Sequence, residues 1–269
     1  MCNDCGCAVG TGKVEVRDAL GHVTTSRAAD GSVEVLTAIL RQNDHEAAHN
    51  RAHFDAHGVL AINLMSAPGS GKTRLLEATI GAIGDRVRIA VIEGDLETEN
   101  DALRIRAKGV PAVQITTGQT CHLDAHMVHD ALHLLALAQV DLLFIENVGN
   151  LVCPAGFDLG QHANVTLLSV AEGDDKPAKY PVMFRASDLV LLSKADLLPV
   201  FDDFAPERAT GHVRALANDA EVFPVSARRS DLLAPWLDWL DDRLRSLHSG
   251  AVLRPRMARS HAPHGHVAP

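Results

Sequence analysis

Short apolar runs of strand length recur along most of the chain, at residues 59–65, 88–93, 112–116, 141–146, 165–171, 189–193 and 221–225. Between them lie longer stretches whose apolar positions return every three to four residues, and these predict helices over 73–83, 99–108, 122–138, 206–217 and 231–247. Runs that are apolar throughout suit strands buried on both faces. Their alternation with helices predicts an α/β fold: a doubly wound, mostly parallel sheet covered by helices on both sides, with ligands at the strands' carboxyl ends.

Ahead of the first strand, Val33, Val35, Leu36, Ile39 and Leu40 repeat at helical spacing and give way to His45, His49, His53 and His57, four residues apart. A helix over 32–57 places those imidazoles on one face. A solvated polar face is the favoured reading of the stripe, and a weak auxiliary metal site the second. Residues 8–30 are polar and glycine-containing without a sustained period, and read as a flexible linker. The stretch 251–269 is rich in Pro, Arg and His and reads as a disordered tail whose His261, His264 and His266 can bind metal weakly. The expected organisation is a cysteine arm at 1–10, a linker at 11–31, a helical extension at 32–57, the main α/β domain at 58–250 and the tail at 251–269.

Composition narrows the function. At 269 residues and 46% hydrophobic the chain sustains one sizeable core. A net charge of −9 argues against nucleic acid or an acidic membrane surface as partner, since both are held mainly by Lys and Arg. No basic segment leading into an apolar stretch opens the chain, and no run of about 18 apolar residues occurs, so a cytoplasmic location is expected. The five cysteines are odd in number and sit in three places, which suits reduced thiols better than a disulfide framework. Fifteen histidines lean towards metal.

The strand at 61–65 runs directly into Ser66-Ala67-Pro68-Gly69-Ser70-Gly71-Lys72-Thr73, and a helical stretch follows. That is a phosphate loop in its required context. Glycines let backbone amides turn onto phosphates at a helix N-terminus, Lys72 neutralises the β and γ phosphates, and Thr73 offers its hydroxyl to Mg²⁺. Ser66 stands where the general pattern has Gly. Roughly 120 residues on, the strand at 189–193 leads into Lys194-Ala195-Asp196. The Asp196 carboxylate suits guanine N1 and N2, which adenine cannot match, and the Lys194 stem covers the base. Ser193 replaces the usual Asn and is expected to leave the loop less supported. Ser226, Ala227 and Arg228, after the last strand, offer a backbone amide to guanine O6.

Glu146 ends an apolar strand, with Gly149 three residues later. The acid can reach Mg²⁺ through water and Gly149 can sense a γ-phosphate, so the segment is a candidate switch. Asp95 and Asp101 are unranked candidates for a second Mg²⁺ contact and for positioning the attacking water. No Gln follows Gly149, so slow hydrolysis is expected.

Cys121 and His122 are expected to open a helix, and Cys153 lies four residues past Gly149. Two thiolates and an imidazole suit Ni²⁺, with Zn²⁺ the alternative ion. A buried small hydrophobe is the bland reading of either cysteine alone. A ligand so close to a γ-phosphate sensor would couple metal affinity to nucleotide state, and three ligands leave room for a site shared across a two-fold dimer. His126, His129 and His133 continue from His122 at helical spacing; a polar face is favoured over an extension of the metal site. Cys2, Cys5 and Cys7 crowd three thiols around Gly6, a metal arm rather than a redox motif, for which the freed α-amine would be a fourth ligand if Met1 is removed.

The stretches Glu146-Asn147-Val148-Gly149-Asn150-Leu151-Val152-Cys153-Pro154-Ala155-Gly156-Phe157-Asp158-Leu159-Gly160 and Gly118-Gln119-Thr120-Cys121-His122-Leu123-Asp124-Ala125 resemble the hydrogenase nickel-incorporation GTPase family HypB, a P-loop GTPase family, over about residues 58–247 and the cysteine arm. Ser66 agrees with that family. The resemblance implies dimer-interface metal ligands at Cys121, His122 and Cys153, and a tight nickel site at Cys2, Cys5 and Cys7. It also implies GTP-dependent homodimerisation, a nickel-binding accessory partner, and delivery to the large subunit of a [NiFe] hydrogenase. The urease-maturation GTPases are a related alternative, disfavoured by Asn147-Val148-Gly149-Asn150 and by the arm. A nickel storage protein on a scaffold nucleotide fold, and a P-loop kinase, are the other readings.

Overall fold

The computed structural model describes residues 14–17, 23–26, 31–118 and 120–256. The strands are β1 (Val14–Arg17), β2 (Val23–Ser26), β3 (Leu60–Ser66), β4 (Ile89–Asp95), β5 (Ala112–Thr116), β6 (Leu142–Glu146), β7 (Ala163–Ser169), β8 (Leu189–Ser193) and β9 (Glu221–Pro224). The helices are α1 (Gly31–His57), α2 (Lys72–Ile83), α3 (Asn100–Arg106), α4 (Ala125–Leu132), α5 (Lys176–Lys179), α6 (Pro181–Ala186), α7 (Pro206–Ala215) and α8 (Ser230–His248).

β3 to β9 form one seven-stranded sheet in the order β5-β4-β6-β3-β7-β8-β9, every pair parallel. Alternate residues of each central strand serve opposite faces, as the pleat requires. Leu60, Ile62, Leu64, Val91 and Phe144 point into a layer built with Leu76 and Ile80 of α2 and Trp236 and Leu240 of α8. Ala61, Ala90, Ile92, Leu143 and Ile145 point the other way, against Phe54 of α1 and Val128 and Leu132 of α4. Met65, Leu168 and Val190 carry that second face on to α6 and α7. This is the doubly wound arrangement expected from the apolar runs.

α1 is docked by polar contacts as well as by Phe54. Buried Asn43 accepts from the Ala125 amide and donates to the Asp158 carbonyl, at 2.9 and 2.8 Å. Arg51 donates to both oxygens of Asp158 at 2.7 and 2.8 Å, a pair shielded enough from solvent to hold its geometry.

Four expectations need correction. Within the expected linker, β1 and β2 pair antiparallel, their alternating or β-branched residues supplying strand propensity that a reading for period alone passed over. The expected helix at 122–138 starts only at Ala125, because Asp124 caps it by accepting from the Met127 amide at 2.8 Å. Cys121 and His122 therefore precede the helix instead of opening it. The same helix stops at Leu132, where the ladder tightens to the i→i+3 bonds of Leu134 to Ala131 and Leu135 to Leu132. The strand expected to reach residue 171 ends at Ser169, whose hydroxyl caps a single 3-10 turn. The cysteine arm with Cys2, Cys5 and Cys7, and the tail histidines, lie outside the described residues.

Candidate functional site

The phosphate loop bridges β3 and α2. Gly69 and Gly71 hold φ of +76° and +96°, backbone that other residues rarely adopt, and the second forms the N-cap of α2. Lys72, 8% exposed, donates from Nζ to Ser66 Oγ at 3.1 Å, so the serine that replaces glycine gives the lysine a polar partner. Ser70 donates to Glu172 Oε1 at 2.5 Å, a carboxyl whose pKa burial raises; nothing in the sequence pattern had singled Glu172 out.

A cavity of about 270 Å³ opens beside this loop, and Lys194, Asp196, Ser226, Ala227 and Arg228 all line it. Ser226 donates to Asp196 Oδ1 at 2.7 Å and accepts from the Arg228 amide at 3.1 Å. The carboxylate is thereby held in place while its remaining lone pairs stay able to take two N–H donors. Ser193 does not leave the loop unsupported: its hydroxyl donates to the Ser70 carbonyl at 2.7 Å, joining the segment that leads into Lys194-Ala195-Asp196 to the phosphate loop. Lys194 sits in the left-handed region at φ +58°.

A second cavity, about 370 Å³, continues over Lys72 and Thr73 and is also lined by Glu93, Asp95, Asp101, Glu146 and Gly149. Thr73 donates to Glu146 Oε1 at 2.9 Å, and Lys72 Nζ lies 4.0 Å from the same oxygen. Glu93 and Glu146 are register partners at the carboxyl ends of β4 and β6, and both are buried. Burial raises the pKa of each, the charge of Glu146 raises Glu93 further, and Lys72 opposes the rise at Glu146. Glu93 Oε1 and Glu146 Oε2 are buried without a hydrogen-bond partner. Two orphaned carboxylate oxygens beside a hydroxyl at a phosphate loop fit a hard cation such as Mg²⁺. Glu93 was missed because a strand-ending acid looks ordinary until the register pairs it with Glu146. Asp95 accepts from the Glu97 amide at 3.1 Å and Asp101 pairs with Arg104 at 2.7 Å, so both acids line the cavity with their orientations set.

Gly149 closes over the phosphate loop: a Cβ there would lie 2.8 Å from Pro68 Cα. The same segment leads to metal-binding chemistry. Cys121 and Cys153 sulfurs are 3.1 Å apart, and His122 contributes a ring nitrogen within 4.8 Å of both. The imidazole is stacked on Phe157 at 4.0 Å and 3% exposed; burial lowers its pKa, and its Nδ1 has no hydrogen-bond partner. A neutral, orphaned imidazole beside two thiols is a donor set for a borderline-soft divalent ion. The two halves are tied together: buried Asn147 accepts from the amides of Leu123 and Val148, at 3.1 and 3.0 Å. The other histidines of the stripe, for which a polar face was favoured over an extension of the metal site, lie apart from the cluster. His126 is exposed, and His129 and His133 turn towards α1.

The sequence profile of the CobW/HypB/UreG nucleotide-binding domain matches residues 60–224. The hydrogenase maturation factor HypB of Azotobacter vinelandii is 57% identical over 203 residues, 76% of this chain and 67% of the relative. The crystal structure of HypB from Helicobacter pylori in complex with nickel superposes with a TM-score of 0.73 at 44% identity, covering 76% of this chain and 96% of that one. The hydrogenase maturation factor HypB from Archaeoglobus fulgidus gives 0.71 at 38% identity, covering 76% and 100%.

Proposed function

Because the chain belongs to the CobW/HypB/UreG family, in its hydrogenase maturation factor HypB branch, we propose that it is a GTP-hydrolysing nickel metallochaperone that serves [NiFe] hydrogenase assembly. The observation that carries this reading is the tie between the Cys121, His122 and Cys153 cluster and the Glu146–Gly149 segment that covers the phosphate loop. Nickel is the cargo, held by two thiolates and the neutral His122. Zn²⁺ is the competing ion at the same ligands.

GTP binds with its base against Asp196 and Lys194 and its phosphates along Pro68 to Thr73. Thr73, Glu146 and Glu93 would hold Mg²⁺, which neutralises charge on the phosphate oxygens. Asp95 or Asp101 orients the water whose oxygen attacks the γ-phosphorus as the bond to the bridging oxygen breaks. Lys72 and the loop amides stabilise the charge that gathers on the leaving GDP. Without a glutamine after Gly149, turnover is slow. Loss of the γ-phosphate frees Gly149, and the change reaches Cys121 and Cys153 through Asn147 and Asn150. Three ligands per chain leave the site to be completed in a GTP-dependent homodimer, with nickel coming from an accessory protein and going to the hydrogenase large subunit. No helix among the described residues is long and apolar enough to cross a membrane, in keeping with the cytoplasmic setting proposed.

The test is Ni²⁺ affinity of the full chain carrying Cys2→Ser, Cys5→Ser and Cys7→Ser, with GDP, with a non-hydrolysable GTP analogue and without nucleotide, while oligomeric state is recorded. Affinity that changes with nucleotide supports the metallochaperone; identical affinities would favour nickel storage on a scaffold fold.

A further inference from the structure

The histidines of α1 and α4 meet across the helix interface, away from both cavities. His53 and His129 ring centroids are 5.8 Å apart, His49 and His129 6.1 Å, and His129 and His133 4.8 Å. Under them lies a shallow cavity of about 240 Å³ floored by Leu132, Leu135 and Leu137.

One ring is pre-set by a buried amide. Asn50 is fully buried and spends its NH₂ on the carbonyls of Ala125 and Leu159, at 2.7 and 3.1 Å. That fixes which way the amide faces, so its Oδ1 is the atom 3.0 Å from His129 Nδ1. An amide oxygen only accepts, so His129 carries its hydrogen on Nδ1 and presents a lone pair on Nε2. Orientation of a ligand histidine by an acceptor behind its other nitrogen is the usual support of a metal site. The Nε2 atoms of His129 and His133 are 3.3 Å apart. Two imidazole nitrogens bound at about 2.05 Å to one tetrahedral ion would be about 3.3 Å apart. The pair already has that bite.

We propose that His129 of α4 and His133 at its C-cap, completed by His53 of α1, form a second transition-metal site for Ni²⁺ or Zn²⁺, built from imidazole alone and separate from the Cys121, His122 and Cys153 cluster. His53 is half-buried, and burial together with His129, His49 and the neighbouring imidazoles favours its neutral, metal-binding form. Its ring centroid stands 5.8 Å from that of His129, so closing on a shared ion requires a rotation of the His53 side chain. α4 connects the two sites. Its eight residues span about 12 Å, so an ion held at the imidazoles waits within one helix length of the thiolates. The proposal stands on the helix interface and needs no nucleotide.

The experiment uses the full chain with Cys2, Cys5, Cys7, Cys121 and Cys153 all replaced by Ser, titrated with NiCl₂ and with ZnCl₂, against the same chain carrying His133→Gln or His53→Gln. Both imidazoles are at least partly exposed, so the fold should survive, and circular dichroism checks it. The expected result is one equivalent whose affinity falls at least tenfold in each variant, with X-ray absorption showing imidazole scattering and no sulfur. Unchanged stoichiometry and affinity after His133→Gln would overturn the site, and loss in His133→Gln with none in His53→Gln would overturn the three-ligand arrangement.

Discussion

Asn150 donates from Nδ2 to the carbonyl of Cys121 at 3.2 Å, linking the residue after Gly149 to one cysteine of the thiol cluster, 29 positions earlier in the chain. Asn150 Oδ1 also accepts from the Val152 amide at 2.8 Å, so one side chain braces both loops of the thiol cluster. Asn150→Ala removes both bonds at a half-buried site, a loss of about 1 kcal/mol. GTP affinity should stay within about twofold, while the difference in Ni²⁺ affinity between the GDP and GTP-analogue states should shrink several-fold. Calorimetric titration in the two nucleotide states measures it; an undiminished difference would place the coupling elsewhere.

Asp196→Asn leaves the Ser226 hydroxyl a partner but takes the charged acceptor from guanine. Opposing N–H groups in a desolvated pocket then cost about 3 kcal/mol, roughly a 10²-fold loss of GTP and GDP affinity, with no gain for ATP. Fluorescent-nucleotide competition reads both.

Gly149→Ala puts a methyl group 2.8 Å from the Pro68 backbone. The Gly149 segment must back away from the phosphate loop, at an overpacking cost of about 1–3 kcal/mol. Nucleotide binding should persist and turnover should fall at least tenfold. Wild-type kcat in this variant would show that the close approach is not used.

The Glu93 and Glu146 pair makes a pH prediction in the nucleotide-free protein. Burial and the neighbouring carboxylate raise the Glu93 pKa above its ordinary 4.5, so the folded state holds a proton that the unfolded chain has released. Stability is fully present below the unfolded pKa and declines as pH rises above it, by up to about 1.4 kcal/mol per unit for one proton. Glu93→Gln should flatten that decline, and Mg²⁺ with GDP should do the same by taking the proton's place. Melting temperatures from pH 5 to 9 decide it; a wild-type curve rising with pH would rule out the proton held at Glu93.

Much of the architecture was legible because its signals are contiguous. A central parallel strand must be apolar on both faces, and a phosphate loop must put its glycines, Lys72 and Thr73 in one short run, so neither needs knowledge of distant residues. Lys194-Ala195-Asp196 and the stretches carrying the thiols at 121 and 153 stand out for the same reason, each as a compact motif, and the fold brings Asp196 to a cavity wall and the two sulfurs together. Boundaries were read less well. Asp124 capping α4 two residues past the expected start, and β1 with β2 inside the expected linker, turn on local hydrogen bonds that a hydrophobic pattern averages away.

The sequence by itself determined the sheet, the phosphate loop and the kinds of candidate metal ligand present, because residue type and short-range spacing carry those properties. Only the tertiary structure decided which groups meet. Strand register sets Glu93 against Glu146 and makes their carboxyls share a desolvated pocket. Ser193 reaches Ser70, 123 positions earlier, only because β8 and the phosphate loop end at the same edge of the sheet. The docking of α1 against α4 brings together imidazoles that the chain separates by more than 70 residues, since a helix periodicity says which face a side chain is on but never what that face will touch.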